Sequence, residues 1–227
     1  MKLSILGGSG GVGSKCVLYA CRSSNITSIK VLCRSRAKLM RAVGESWDDS
    51  KAEIVEGDVT NVETVKAMCD GVDVVLSALG TTSGGPLVVE AAVRKVLNAL
   101  AGTTTKFIFL TSIGIGDSLP QGKSMAPFFA YVIKPCFLAK QFQDLDDAEE
   151  VAFAQQDTPV VTIRPPQLTD TPPTEKMALK PASDLKPSKV AKISRADVAR
   201  AMVMLCEDAE LWNEWEGKGA SVVQHFD

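Results

Sequence analysis

The chain has 227 residues, 45% of them hydrophobic and 23% charged, and its 25 Lys and Arg against 27 Asp and Glu leave a formal net charge of −2. There is no basic excess to follow a nucleic-acid backbone, and no apolar run is long enough to cross a bilayer. That length fits one doubly wound domain over 1–227.

The first strand is read at 3–6, so close to Met1 that a cleavable targeting peptide has no room, which points to a cytoplasmic location. It runs into Gly7-Gly8-Ser9-Gly10-Gly11-Val12-Gly13, which satisfies Gly-x-Gly-x-x-Gly through Gly8, Gly10 and Gly13. Glycines there permit a tight turn and let backbone approach a pyrophosphate. The N–H groups of the helix that follows then face the anion. The motif follows a strand and opens a helix, the context it requires, so dinucleotide binding is expected. Val12, Cys16, Tyr19 and Ser23 lay one mostly apolar stripe along that helix.

A second strand at 29–33 leads into Arg34-Ser35-Arg36 with no carboxylate. An NAD site would place Asp or Glu here for the ribose hydroxyls, whereas Arg34 and Arg36 flanking a hydroxyl suit a 2′-phosphate. NADP(H) is therefore expected over NAD(H), although Lys38 and Arg41 also allow a simply basic, solvated helix start. After a third strand at 53–55, Asp58 is placed to accept from an adenine amino group and Val59 to pack on the ring; a plain turn is the alternative. Thr60-x-x-Glu63 reads as a capping box for a helix carrying Val62, Val65, Met68 and Cys69 and stopped by Gly71.

The fourth strand, 72–77, is followed by Ala78, Leu79, Gly80 and Thr81, small enough for a cofactor to pass close to backbone. Pro86 fits the first turn of the next helix, which Gly102 ends. Strands at 106–110 and 160–164 are followed by loop-like stretches at 113–136 and 165–193, placed to shape a substrate site. Between them, the acidic run from Asp144 to Glu150 reads as a solvated helix face whose first-turn acids favour the helix dipole. Ser194-x-x-Asp197 caps a late helix carrying Val198, Ala201, Met202 and Leu205, and a last strand lies at 220–223. Such alternation predicts an α/β, Rossmann-type doubly wound, mostly parallel sheet of about seven strands with helices on both faces.

Six scattered cysteines without a Cys-x-x-Cys pair read as small hydrophobes in a reducing compartment. The lone histidine, His225, rules out a His-rich metal site, and no metal ligand set is proposed.

The glycine motif, Arg34, Asp58-Val59, Ser77-Ala78-Leu79-Gly80, Thr111-Ser112 and Arg164-Pro165-Pro166 occur in the order shown by one family. The chain resembles the short-chain dehydrogenase/reductase superfamily in its atypical single-domain branch, most of all the biliverdin-IXβ/flavin reductases and the NmrA-like proteins. The likeness covers about residues 2–224. It implies that Thr111 and Ser112 lie beside the nicotinamide and that Pro165 and Pro166 wall its carboxamide side.

Ordinary members use a Tyr-x-x-x-Lys pair, and this chain departs from it. Tyr19 belongs to the first helix, and Tyr131 is followed by Lys134, three residues on. Tyr131 is either a proton donor or a lid over the pocket. Lys140 is the lysine the branch places near its cofactor, or one more surface lysine. The resemblance implies an NADPH-dependent reductase of a small conjugated or aromatic acceptor (flavin, tetrapyrrole or quinone), with Ser112 orienting it. The alternative is a non-catalytic NADP(H) sensor or scaffold of NmrA-like type. An epimerase ranks last, because the chain lacks both the Tyr/Lys pair and a larger C-terminal substrate domain. Neither nucleic acid nor membrane is expected as a partner, and the oligomeric state is left open.

Overall fold

The computed structural model describes residues 1–80, 85–125, 127, 129–174, 176–185 and 192–224. Its strands are β1 (Lys2–Leu6), β2 (Ser28–Cys33), β3 (Ala52–Glu56), β4 (Val74–Ser77), β5 (Lys106–Leu110), β6 (Val160–Arg164), β7 (Gln167–Thr169), β8 (Met177–Lys180), β9 (Lys192–Ser194) and β10 (Gly219–Gln224). Its α-helices are α1 (Gly11–Arg22), α2 (Arg36–Val43), α3 (Val62–Cys69), α4 (Val89–Leu100), α5 (Leu119–Met125), α6 (Ala139–Ala154), α7 (Arg195–Glu207) and α8 (Ala209–Trp215). A π-helical segment, Phe129–Leu138, precedes α6.

Eight strands form one sheet in the order β3-β2-β1-β4-β5-β6-β10-β8, parallel except for β8, which runs antiparallel to β10. The order reverses direction at β1, which opens the crevice between β1 and β4 for a ligand. Alternation within the strands builds a core on each face. Leu3, Ile5, Val74, Leu76, Ile108, Val161 and Ile163 pack with α1, α2 and α7. Leu6, Val75, Phe107, Phe109 and Val160 turn the other way, onto α3, α4 and α6. The central strands β1, β4, β5 and β6 are buried on both faces, so they read as continuous apolar runs.

The sheet therefore has eight strands where about seven were expected. The additional one is β8, inside the stretch read as a loop at 165–193, and β7 and β9 pair there as a separate two-stranded sheet. The stretch 113–136 likewise contains α5 and the start of the π-helical segment.

Three helix starts differ from expectation. The cap of α3 is Asn61, whose side chain accepts from Thr64 N–H at 3.1 Å, because Asp58 holds Thr60 in its own turn at 2.8 Å. The second is α4, which begins at Val89, beyond Pro86; the Asp144 carboxylate of α6 accepts from Val89 N–H and Glu90 N–H at 3.1 Å each. The third is α6, which begins at Ala139, so its acids lie past the first turn. Two of them, Asp144 and Glu149, are buried, which corrects the reading of a solvated acidic face. Ser194 caps α7 as read, accepting from Asp197 N–H at 2.9 Å.

Candidate functional site

The glycine loop is shaped by close backbone contacts. Gly7 has φ +81°, and a Cβ on it would stand 3.1 Å from Leu79 Cδ2 and 3.3 Å from the Ala78 backbone. At Gly13 the clash is harder, because a Cβ would lie 2.2 Å from the Gly7 carbonyl oxygen. Gly10 N–H donates to that same carbonyl at 2.9 Å, and the Gly10 carbonyl accepts from Ser14 N–H. The N–H groups of Gly11, Val12 and Gly13, in the first turn of α1, have no partner within their helix. This is a cradle that backbone can offer to a diphosphate, so the residues present fit a dinucleotide.

A pocket of about 190 Å³ runs outward from this loop. Gly7, Ser9 and Gly10 line it from the glycine loop, Ala78, Leu79 and Gly80 from the exit of β4, and Arg34, Lys38, Asp58 and Val59 from the segments after β2 and β3. Leu32, Cys33, Gly57, Thr60, Pro86 and Val88 complete it. Asp58 accepts from Thr60 N–H, and that hydrogen bond, with a smaller contribution from the Arg34 charge, holds its carboxyl below the usual range. Val59 is buried. The side chain of Arg36 is exposed and outside the lining, and its N–H donates to the Glu56 carboxylate at 3.2 Å.

Lys38 stands in the lining without having been singled out. Ser35 accepts from Lys38 N–H at 3.3 Å as the cap of α2, which places Lys38 in the first helical turn above the end of β2. The signal available in the sequence was the cap at Ser35 with a lysine three residues later.

The exits of β5 and β6 run side by side along the same sheet edge. Thr111 N–H donates to Ile163 O at 2.8 Å and Ile113 N–H to Pro165 O at 3.0 Å. Thr111 is buried, and its hydroxyl donates to Glu149 Oε1 at 2.7 Å, so it is spent on the interior. Ser112 is half-buried, its hydroxyl donating to Ile113 O at 3.0 Å. Pro165 is buried and Pro166 half-buried. None of these four residues lines the pocket at the glycine loop. A second cavity of about 330 Å³ opens past this edge, between Ile113, Gly114, Leu119, Phe142 and Gln143.

Tyr131 is 66% exposed on the π-helical segment, and Lys140 is exposed at the start of α6; neither lines either cavity. Thr81 and His225 lie outside the described residues, as does the side chain of Lys134.

Beneath the β5 and β6 exits is a buried charge network that sequence reasoning missed. Glu149 accepts from Thr111 and Thr162, and from Arg164 Nε at 2.8 Å, while Arg164 also pairs with Asp117. Burial alone would push the Arg164 guanidinium down, but hydrogen bonds and charge from Glu149 and Asp117 outweigh it and hold it above its ordinary value. Among the described residues, no cluster of three or more His, Cys, Asp or Glu could hold a metal ion. No helix there is long and apolar enough to cross a membrane.

A model of the NAD(P)H-binding family matches residues 7–209. An oxidoreductase of Pestalotiopsis microspora is 24% identical, the match covering 97% of this chain and 84% of the relative. Among solved structures, the anaerobillin reductase ChuY of Escherichia coli is similar with a TM-score of 0.74 at 20% identity, covering 99% of this chain and 97% of the other. A short-chain dehydrogenase/reductase of Veillonella parvula, in complex with NADP, has a TM-score of 0.77 at 15% identity, covering 98% and 94%.

Proposed function

The chain belongs to the NAD(P)H-binding family, and from that premise we propose that it is an NADPH-dependent oxidoreductase reducing a small conjugated or aromatic acceptor. The observation that carries this reading is the pocket itself, which joins the glycine loop to two cations, Arg34 and Lys38. When bound, NADPH supplies the hydride. The chain's own work is to bind and orient.

Backbone N–H groups of Gly11 and Val12 hold the diphosphate. Arg34 and Lys38, rather than Arg34 and Arg36, take the 2′-phosphate, since two cations in one pocket suit a dianion. Asp58, kept ionised, accepts from the adenine amino group, and Val59 packs on the ring. Ala78, Leu79 and Gly80 form the wall along which the ribose lies. Ser112, at the β5 exit, orients the acceptor, and Pro165 and Pro166 close the side toward β6. With Tyr131 exposed and Thr111 spent on Glu149, neither is the donor, and the proton comes from solvent. This suits flavins, tetrapyrroles or quinones, whose reduced forms accept a proton without a positioned donor. The anaerobillin reductase among the similar structures supports that class of acceptor.

The exposure of Tyr131 and Lys140 also favours a second reading, a non-catalytic NADP(H) sensor of NmrA-like type. One cuvette separates the two. The protein is titrated with NADPH and NADH, then given flavin. Binding of NADPH with acceptor-dependent loss of its absorbance supports the reductase. Binding without turnover of flavin, biliverdin or quinone supports the sensor, and equal affinity for NADH overturns the role of Arg34 and Lys38.

A further inference from the structure

Arg195, the first residue of α7, lies against Gly11 of the glycine loop, just outside the pocket lining. A Cβ built on Gly11 would stand 2.7 Å from Arg195 Cδ and 2.8 Å from its Nε. The arginine stem therefore rests directly on the first turn of α1, in space that a side chain at residue 11 would fill. Its guanidinium Nη1 donates to Asp170 Oδ1 at 2.9 Å, and the Asp170 side chain is 88% exposed. An ion pair so open to water contributes little to stability. It does not account for an arginine laid over Gly11, in the first turn of α1, where N–H groups lack helical partners.

Resting on the dinucleotide reading above, we propose that Arg195 is the diphosphate-binding cation of this site and that Asp170 is the partner it gives up. In the free protein, Asp170 holds the guanidinium beside the loop. When the dinucleotide binds, the diphosphate oxygens take the Nη groups, and Asp170 returns to water. Gly11 is glycine because the arginine must reach over it. The arrangement adds to the backbone cradle a full positive charge from an element, α7, far away in sequence. The diphosphate is common to both dinucleotides, so Arg195 strengthens binding of NADPH and NADH alike, whereas Arg34 and Lys38 discriminate between them.

The two partners must then respond with opposite signs. Wild type, Arg195→Gln, Arg195→Lys and Asp170→Asn are titrated calorimetrically with NADPH and NADH at low salt. Gln keeps most of the stem over Gly11 and removes only the charge. Arg195→Gln is expected to weaken both dinucleotides by about tenfold, as for one lost charge-assisted contact. Arg195→Lys recovers part of that loss, and Asp170→Asn binds as tightly as wild type or about two- to threefold tighter, because a competitor for the guanidinium is gone. If Arg195→Gln binds within about twofold of wild type, or if Asp170→Asn loses as much as Arg195→Gln, the pair is a structural tie and the proposal falls alone. A wild-type protein that binds neither dinucleotide overturns the underlying reading, and the proposal with it.

Discussion

Glu149 of α6 and Arg164 at the end of β6 form a buried ion pair, Nε to Oε1 2.8 Å, with their side chains only 4% and 3% exposed. The carboxylate also takes the hydroxyls of Thr111 and Thr162, so it ties α6 to β5 and β6 just below the acceptor edge. Removing Glu149 leaves the buried Arg164 guanidinium with only the exposed Asp117 as its carboxylate partner. Glu149→Ala is therefore expected to cost about 3–5 kcal/mol, or on the order of 10 °C in Tm. Replacing both, as Glu149→Leu with Arg164→Met, should cost less than either single change, because no lone charge remains. Denaturant unfolding of the three variants measures this, and a double variant as unstable as the sum of the singles would refute it.

At Gly13 the obstacle is backbone against backbone. A Cβ would meet the Gly7 carbonyl at 2.2 Å, and neither atom is the end of a flexible side chain. Gly13→Ala must push the loop off α1, at a cost of about 1–3 kcal/mol. Dinucleotide affinity should fall at least tenfold, since the displaced carbonyl also receives Gly10 N–H. Thermal unfolding and an NADPH titration of the variant read the two effects separately.

The parts of this molecule that were legible are those whose cause is local. Leu3, Ile5 and Leu6 read as strand because both sheet faces bury them, and Gly7 to Gly13 read as a phosphate loop because Gly7, Gly8 and Gly13 stand where there is no room for a side chain. Ser194 capping Asp197 N–H lies within a single turn. What could not be read depends on distant partners. The start of α4 at Val89 is fixed by Asp144, 55 residues on. β8 exists as a strand because β10 pairs with it, and its Met-Ala-Leu-Lys segment has no alternation to announce it. The family resemblance sets Thr111 beside a nicotinamide, but it does not reveal that the Thr111 hydroxyl donates to Glu149, whose burial no pattern in an acidic run reveals. Arg36 and Lys38 could not be ranked until the cap at Ser35 fixed the phase of α2.

Asp58 makes its contribution through the hydrogen bond from Thr60 N–H, which requires the ionised carboxylate and lowers its pKa in the folded state. A depressed folded pKa adds stability that is fully present above the unfolded value, about 3.9, and is lost as pH falls through the lower folded value. The stability gap between wild type and Asp58→Ala should thus be constant from about pH 5 to 8 and shrink on acidification below about 4. Urea midpoints across that range test it, and a gap that widens in acid would mean that the neutral carboxyl is the favoured partner.

Arg34 and Lys38 both line the pocket, from the end of β2 and the first turn of α2. If they share the 2′-phosphate, each truncation removes a charge-assisted contact that NADPH makes and NADH does not. Arg34→Ala and Lys38→Ala should each weaken NADPH by about tenfold while moving NADH less than about twofold. Arg36→Ala serves as the control, because its side chain lies outside the lining and only its backbone N–H is engaged, by Glu56. A loss of NADPH affinity in Arg36→Ala equal to that in Lys38→Ala would return the second phosphate contact to residue 36. Equal losses for NADPH and NADH in Arg34→Ala would instead mean that this arginine stacks on the adenine, since the face of the base is common to both.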